Sequence, residues 1–72
     1  MYTIYTTETC GYCYAAKKLL SSHNIEYKEI NLNTTEKKMD FKEETGLKTV
    51  PQIYTDDGEH IGGYDDLVTY MN

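Results

Sequence analysis

Tyr2-Thr3-Ile4-Tyr5-Thr6-Thr7-Glu8-Thr9-Cys10-Gly11-Tyr12-Cys13 is the stretch that decides the fold. Residues 2–6 are β-branched or aromatic, suit a pleated surface and end in a polar cluster, which predicts a first strand. Thr9 then stands where a helix cap belongs, and Ala15, Ala16, Leu19 and Leu20 recur at helical spacing. A helix is therefore expected to begin around Cys10 and to fade over Ser21 to Asn24. A strand that runs into a helix, with a pair of cysteines at the junction, is the start of a βαβ unit.

Further along the chain, Ile25 to Leu32 reads as a second strand. Its apolar positions change phase between Tyr27 and Ile30, which predicts irregular pairing near one end. Asn33 followed by Glu36 has the pattern of a capping box, and Gly46 can supply a left-handed residue after a helix. A second helix is thus expected from about Thr34 to Thr45, with Met39 and Phe41 as its thin apolar face. Residues 51–55 and 59–62 flank Asp56-Asp57-Gly58, and a DG pair between two alternating runs signals a hairpin. A proline at the head of the third strand leaves the ladder interior intact. Residues 64–72 suffice for a short final helix, with Asp65 and Asp66 in a first turn that favours negative charge. The order β-α-β-α-β-β-α gives an α/β fold: a right-handed parallel βαβ unit followed by an antiparallel hairpin, in one four-stranded mixed sheet. A length of 72 residues fits a single domain over 1–72.

Twelve acidic residues against seven lysines and no arginine give a net charge of -5, which argues against nucleic acid as a partner. The plainer role of the acidic surplus is solubility. The start MYTIYTTETC has neither a basic leader nor an apolar run, and nothing downstream approaches the roughly eighteen apolar residues of a membrane span. No membrane partner is expected, and the expected location is the cytoplasm. The two cysteines are a poor staple, because closing a ring of four residues stabilises by roughly 2 kcal/mol. In a reducing compartment such a pair is catalytic or metal-binding.

Cys10 falls at the amino end of a helix, where free N–H groups and the helix dipole favour a thiolate, so it is the expected nucleophile. Cys13, one turn along, lies within reach to release a mixed disulfide. Lys17 is too far from Cys10 to assist it. A competing reading completes a zinc site with His23 and His60, although these histidines are scattered rather than paired. Thr49-Val50-Pro51 opens the third strand beside the cysteine helix. A cis peptide before Pro51 would expose the backbone of Val50 to an extended peptide, whereas a trans proline is the commoner state at a strand start. Gly62-Gly63-Tyr64-Asp65-Asp66 is a strand-to-helix turn that can receive a carboxylate, while Asp65 can pair with an ammonium. The two together suit an α-amino acid head, and a simple glycine turn with helix-favouring aspartates explains the same residues.

In their order and spacing, YTTETCGYC, the TVP segment and GGYDDL resemble the glutaredoxins over nearly the whole chain. The resemblance implies a thioredoxin fold, reduction of protein disulfides and glutathione mixed disulfides, glutathione as reducing co-substrate, a cis Pro51 and no required metal. By position it makes Cys10 the nucleophile and Cys13 the resolving thiol, and sets Tyr12 beside the glutathione groove. Val50, between Thr49 and Pro51, would pair with the cysteinyl backbone of glutathione, and Gly63, Tyr64 and Asp65 would hold its γ-glutamyl head. The chain departs from the family where Thr7 replaces a common lysine, and Lys38 on the second helix is expected to meet the glycine carboxylate instead. Gly11 stands where proline is frequent, and Tyr64 where cysteine or serine is. The short final helix is similar to that of compact bacterial and phage members. The expectation is a monomeric, cytosolic, glutathione-dependent disulfide reductase, with ribonucleotide reductase an electron acceptor by resemblance alone. The alternatives are an iron-sulfur carrier, in which Cys10 of two chains and two glutathione thiols ligate a [2Fe-2S] cluster, and a redoxin coupled to thioredoxin reductase. The latter class typically lacks the GG-x-D-D turn.

Overall fold

The strand that opens the chain, β1 (Tyr2–Thr6), becomes an interior strand of the sheet in a computed structural model that describes residues 1–71. It pairs in parallel with β2 (Tyr27–Asn31) and antiparallel with β3 (Gln52–Tyr54), and β4 (His60–Gly62) completes the order β2-β1-β3-β4. The three helices are α1 (Gly11–Ser22), α2 (Thr35–Thr45) and α3 (Tyr64–Met71). The expected end of the last helix at Asn72 lies outside the described residues.

Side chains alternate across a strand, so β1 serves two layers. Ile4 faces α1 and α3 and joins Ala16, Leu20, Ile53 and Leu67 in a core with no solvent exposure. Tyr5 faces the other way and stacks on Phe41 of α2, ring centroids 4.5 Å apart. Burying each large aliphatic of that core is worth about 1.5–3 kcal/mol, which is how α1 and α3 stay docked.

This layering explains the phase change in the second strand. Tyr27 packs on the α1 and α3 side, and Ile30 lines the α2 side beside Tyr5 and Phe41. The pairing of β2 with β1 is regular over five residues, contrary to the expected irregularity. The irregularity instead falls between β3 and β4, at Ile53 and Tyr54.

Two caps also differ from expectation. Cys10 itself, not Thr9, is the N-cap of α1. Thr34, not Asn33, caps α2 by accepting the Lys37 N–H at 3.1 Å, and Gly46 ends that helix in a left-handed conformation (φ 76°). Met39 stands 63% exposed, so Phe41 is the buried apolar anchor of α2.

Candidate functional site

Three parts of the chain meet at the start of α1. Cys10, with extended φ and ψ of -104° and 108°, aims its sulfur back along the first turn, where it accepts the Cys13 N–H at 3.0 Å. An N–H directed at sulfur from a helix end suits a thiolate. As a thiol, Cys10 also donates to the Val50 carbonyl oxygen at 3.7 Å, which brings the segment before β3 against the sulfur. The Val50–Pro51 peptide is cis, as the family resemblance implied and against the commoner alternative.

Cys13 is a different kind of thiol. It is 1% exposed, and burial, reinforced by the Cys10 sulfur beside it, pushes it up to about 12. A backbone hydrogen bond at Thr7 and the Lys17 ammonium act in the opposite direction. Lys17, too far along the helix to help Cys10, thus acts on Cys13, one turn before it. Both cysteines are free thiols.

Tyr12, Thr49, Val50, Pro51, Gly63, Tyr64 and Asp65 together line a cleft of about 210 Å3 beside Cys10. The Tyr12 and Tyr64 rings, both part of that lining, have centroids 5.8 Å apart. The two aspartates of the turn have separate tasks. Asp66 accepts the Gly63 N–H at 3.2 Å, and its carboxylate fills the space that a Cβ on Gly62 (φ 124°) would need. That close approach is why the turn requires glycine there. Asp65 makes no such bond among the described residues and stands exposed at the lip of the cleft.

Lys38 does not enter that cleft. It lines an adjoining groove of about 430 Å3 together with Thr7, and Val50 borders both. Lys38 of α2 and Thr7 therefore line the same groove.

The zinc reading finds its histidines engaged elsewhere. His23 lies at the end of α1 with Nδ1 3.1 Å from the Leu19 carbonyl, and His60 Nε2 is 2.7 Å from Gln52 Oε1. Among the described residues, no group of three or more His, Cys, Asp or Glu is placed to hold a metal ion. Gln52 itself escaped the sequence reading. Its buried amide donates to the carbonyl and hydroxyl oxygens of Thr49 at 3.0 and 3.1 Å, which fixes the loop ahead of Pro51. A polar residue immediately after the proline of a short apolar strand was the available signal.

A dithiol at a helix end, facing a cis proline on a four-stranded mixed sheet with three helices, defines a thiol-disulfide oxidoreductase of the thioredoxin fold. The family model for glutaredoxin matches residues 2–61. Glutaredoxin 3 of Escherichia coli (strain K12) is 46% identical over 65 residues, spanning 89% of this chain and 77% of the relative. The crystal structure of glutaredoxin 1 from Francisella tularensis complexed with cacodylate superposes with a TM-score of 0.89 at 33% identity, over 97% of this chain and 90% of that one. The buckwheat glutaredoxin-glutathione complex gives 0.83 at 28%, over 97% and 66%. The chain belongs to the glutaredoxin family.

Proposed function

We propose that the chain reduces protein disulfides and glutathione mixed disulfides with glutathione as the electron source. The observation that carries this reading is the Cys10 sulfur, set between a helix-end N–H and the Val50 carbonyl at the mouth of a cleft whose lip bears Asp65. Cys10 is the nucleophile and attacks one sulfur of the substrate disulfide; the other sulfur leaves as a thiolate and takes a proton from water. The thiolate form of Cys10 no longer donates to Val50, so the carbonyl is released to accept a substrate N–H.

Two routes follow from the adduct. If Cys10 holds glutathione, a second glutathione thiolate attacks the glutathione sulfur, giving oxidised glutathione and free Cys10. If it holds a protein, Cys13 loses its proton and attacks Cys10, leaving a Cys10–Cys13 disulfide that two glutathiones reduce in turn. Burial first, and then the Cys10 sulfur, hold Cys13 protonated; once Cys10 is tied up in the adduct it no longer carries a thiolate charge beside Cys13. The resolving thiol is thereby activated after the nucleophile has been used.

Glutathione fits the lined cleft by charge. Its γ-glutamyl ammonium faces Asp65, its α-carboxylate meets the first-turn N–H groups of α3, and its cysteinyl backbone pairs with Val50. Thr49, Pro51, Gly63, Tyr12 and Tyr64 line the rest of that cleft, and Lys38 takes the glycine carboxylate in the adjoining groove. That a buckwheat relative forms a complex with glutathione supports glutathione as the ligand. The protein works as a monomer in the cytoplasm, on disulfide-bearing proteins that include ribonucleotide reductase by resemblance.

The test is turnover of a small glutathione mixed disulfide by each cysteine variant. Cys10→Ser is expected to abolish it, while Cys13→Ser keeps it and loses reduction of protein disulfides. An active Cys10→Ser protein, or a folded Cys13→Ser protein as inactive as Cys10→Ser, overturns the reading.

A further inference from the structure

The groove that holds Lys38 carries more cationic side chains than one glutathione carboxylate needs. Lys38, Lys42 and Lys48 all line it, so three of the seven lysines of a chain with net charge -5 face one surface. No acidic side chain lines it. Of the acidic residues of α2, Asp40 and Glu44 border a different depression, with Lys37, and Glu36 and Glu43 line neither. Among the described residues the only ion pair is Lys17–Glu29, which leaves the three groove lysines without an internal counter-charge. Between them lie Leu32, Leu47 and the exposed thioether of Met39.

The glycine end of glutathione brings one carboxylate, and Lys38 suffices for it. Lys42 is a further turn along α2, about 6 Å on, and Lys48 sits on the segment that leads into Val50. We propose that the groove docks the acidic flank of a protein substrate: an extended segment that pairs with Val50 near its cystine, sets Asp or Glu side chains over Lys42 and Lys48, and lays one apolar side chain on Leu32, Met39 and Leu47. This rests on the reductase reading above and names the substrate class that reading leaves open. Screened surface pairs are weak singly, about threefold each in apparent affinity, and they steer encounter as well as hold it.

The experiment compares two disulfide-cyclised peptides, alike except for flanks of glutamate with one leucine or lysine with one leucine. Reduction by the intact protein and glutathione is followed at low and high salt. The glutamate peptide is expected to have about tenfold higher kcat/KM at low salt, an advantage that shrinks at 0.5 M salt as the Debye length falls to about 4 Å. Lys42→Glu/Lys48→Glu should reverse the preference, each peptide being scored relative to turnover of a small glutathione mixed disulfide by the same variant. Should that variant unfold, Lys42→Gln/Lys48→Gln should erase the preference. Equal use of both peptides by an enzyme active on the small mixed disulfide overturns the docking proposal alone, as does a preference that survives in the variants. Failure on the small mixed disulfide itself overturns the reductase reading and the docking proposal together.

Discussion

Asp65 and Asp66 are the same residue type in the same helical turn, yet one closes the turn and the other stands free at the cleft. The Asp66 carboxylate satisfies the Gly63 N–H, a capping bond whose loss typically costs about 1 kcal/mol. Asp66→Ala is therefore expected to lower the melting temperature by several degrees. Asp65→Asn should leave melting unchanged and raise the KM for glutathione severalfold, because a neutral amide no longer faces an ammonium. Paired thermal melts and glutathione titrations of the two variants decide it, and an Asp65→Asn enzyme with normal glutathione use removes Asp65 from the site. At this scale the sequence was partly legible. Both carboxylates were visible as first-turn residues, but their division of labour depends on the left-handed Gly62 that lets Asp66 approach. The unequal cysteines were more legible, because the first position of a helix and a position one turn inside it differ in exposure in any such helix.

Among the elements, α2 is the one whose function is separate from its burial. Phe41 docks it on Tyr5, and its remaining surface is free to carry charge. Lys38→Ala leaves Phe41 and the Thr34 cap intact, so stability should hold while the KM for glutathione rises severalfold, the effect of about 1 kcal/mol from one partly exposed charged contact. An unchanged KM would show that Lys38 does not serve glutathione. The location of this helix was legible from its flanking signals, Glu36 and Gly46, but its register at the amino end was not. Asn33 and Thr34 are both good caps, and a shift of one residue changes no apolar position, so hydrophobic pattern cannot choose between them. The second strand misled for a related reason. A two-sided strand buries apolar residues on both faces, and its pattern looks like a slip in register although its pairing is regular.

In the whole molecule, element order and sheet class follow from short connections and the handedness of the βαβ crossover, and both were legible. What the sequence could not display is a polar link between layers. The buried Thr6 hydroxyl donates to Glu29 Oε2 at 2.7 Å, the Lys17 ammonium lies 3.1 Å from the same oxygen, and Asn31 reaches Thr6 at 3.4 Å. Residues of β1, β2 and α1 are thus joined just below the cysteines, from positions with no common spacing. The Thr6 hydroxyl acts most strongly on the Glu29 carboxyl and holds it below the ordinary glutamate range; burial opposes this lowering, and the Lys17 ammonium reinforces it. A carboxyl lowered in the folded state stabilises the fold at every pH above its unfolded value, and that contribution is lost as pH falls through the folded value. Melting temperature should accordingly decline on the acid side of pH 5, with Glu29 among the causes. Glu29→Gln retains an oxygen acceptor for Thr6 but cannot titrate, so its melting temperature should start lower at pH 7 and fall less steeply between pH 5 and pH 3. Two acid limbs that run parallel would mean that Glu29 is as free in the folded chain as in the unfolded one, and the link between β2 and α1 would then rest on packing alone.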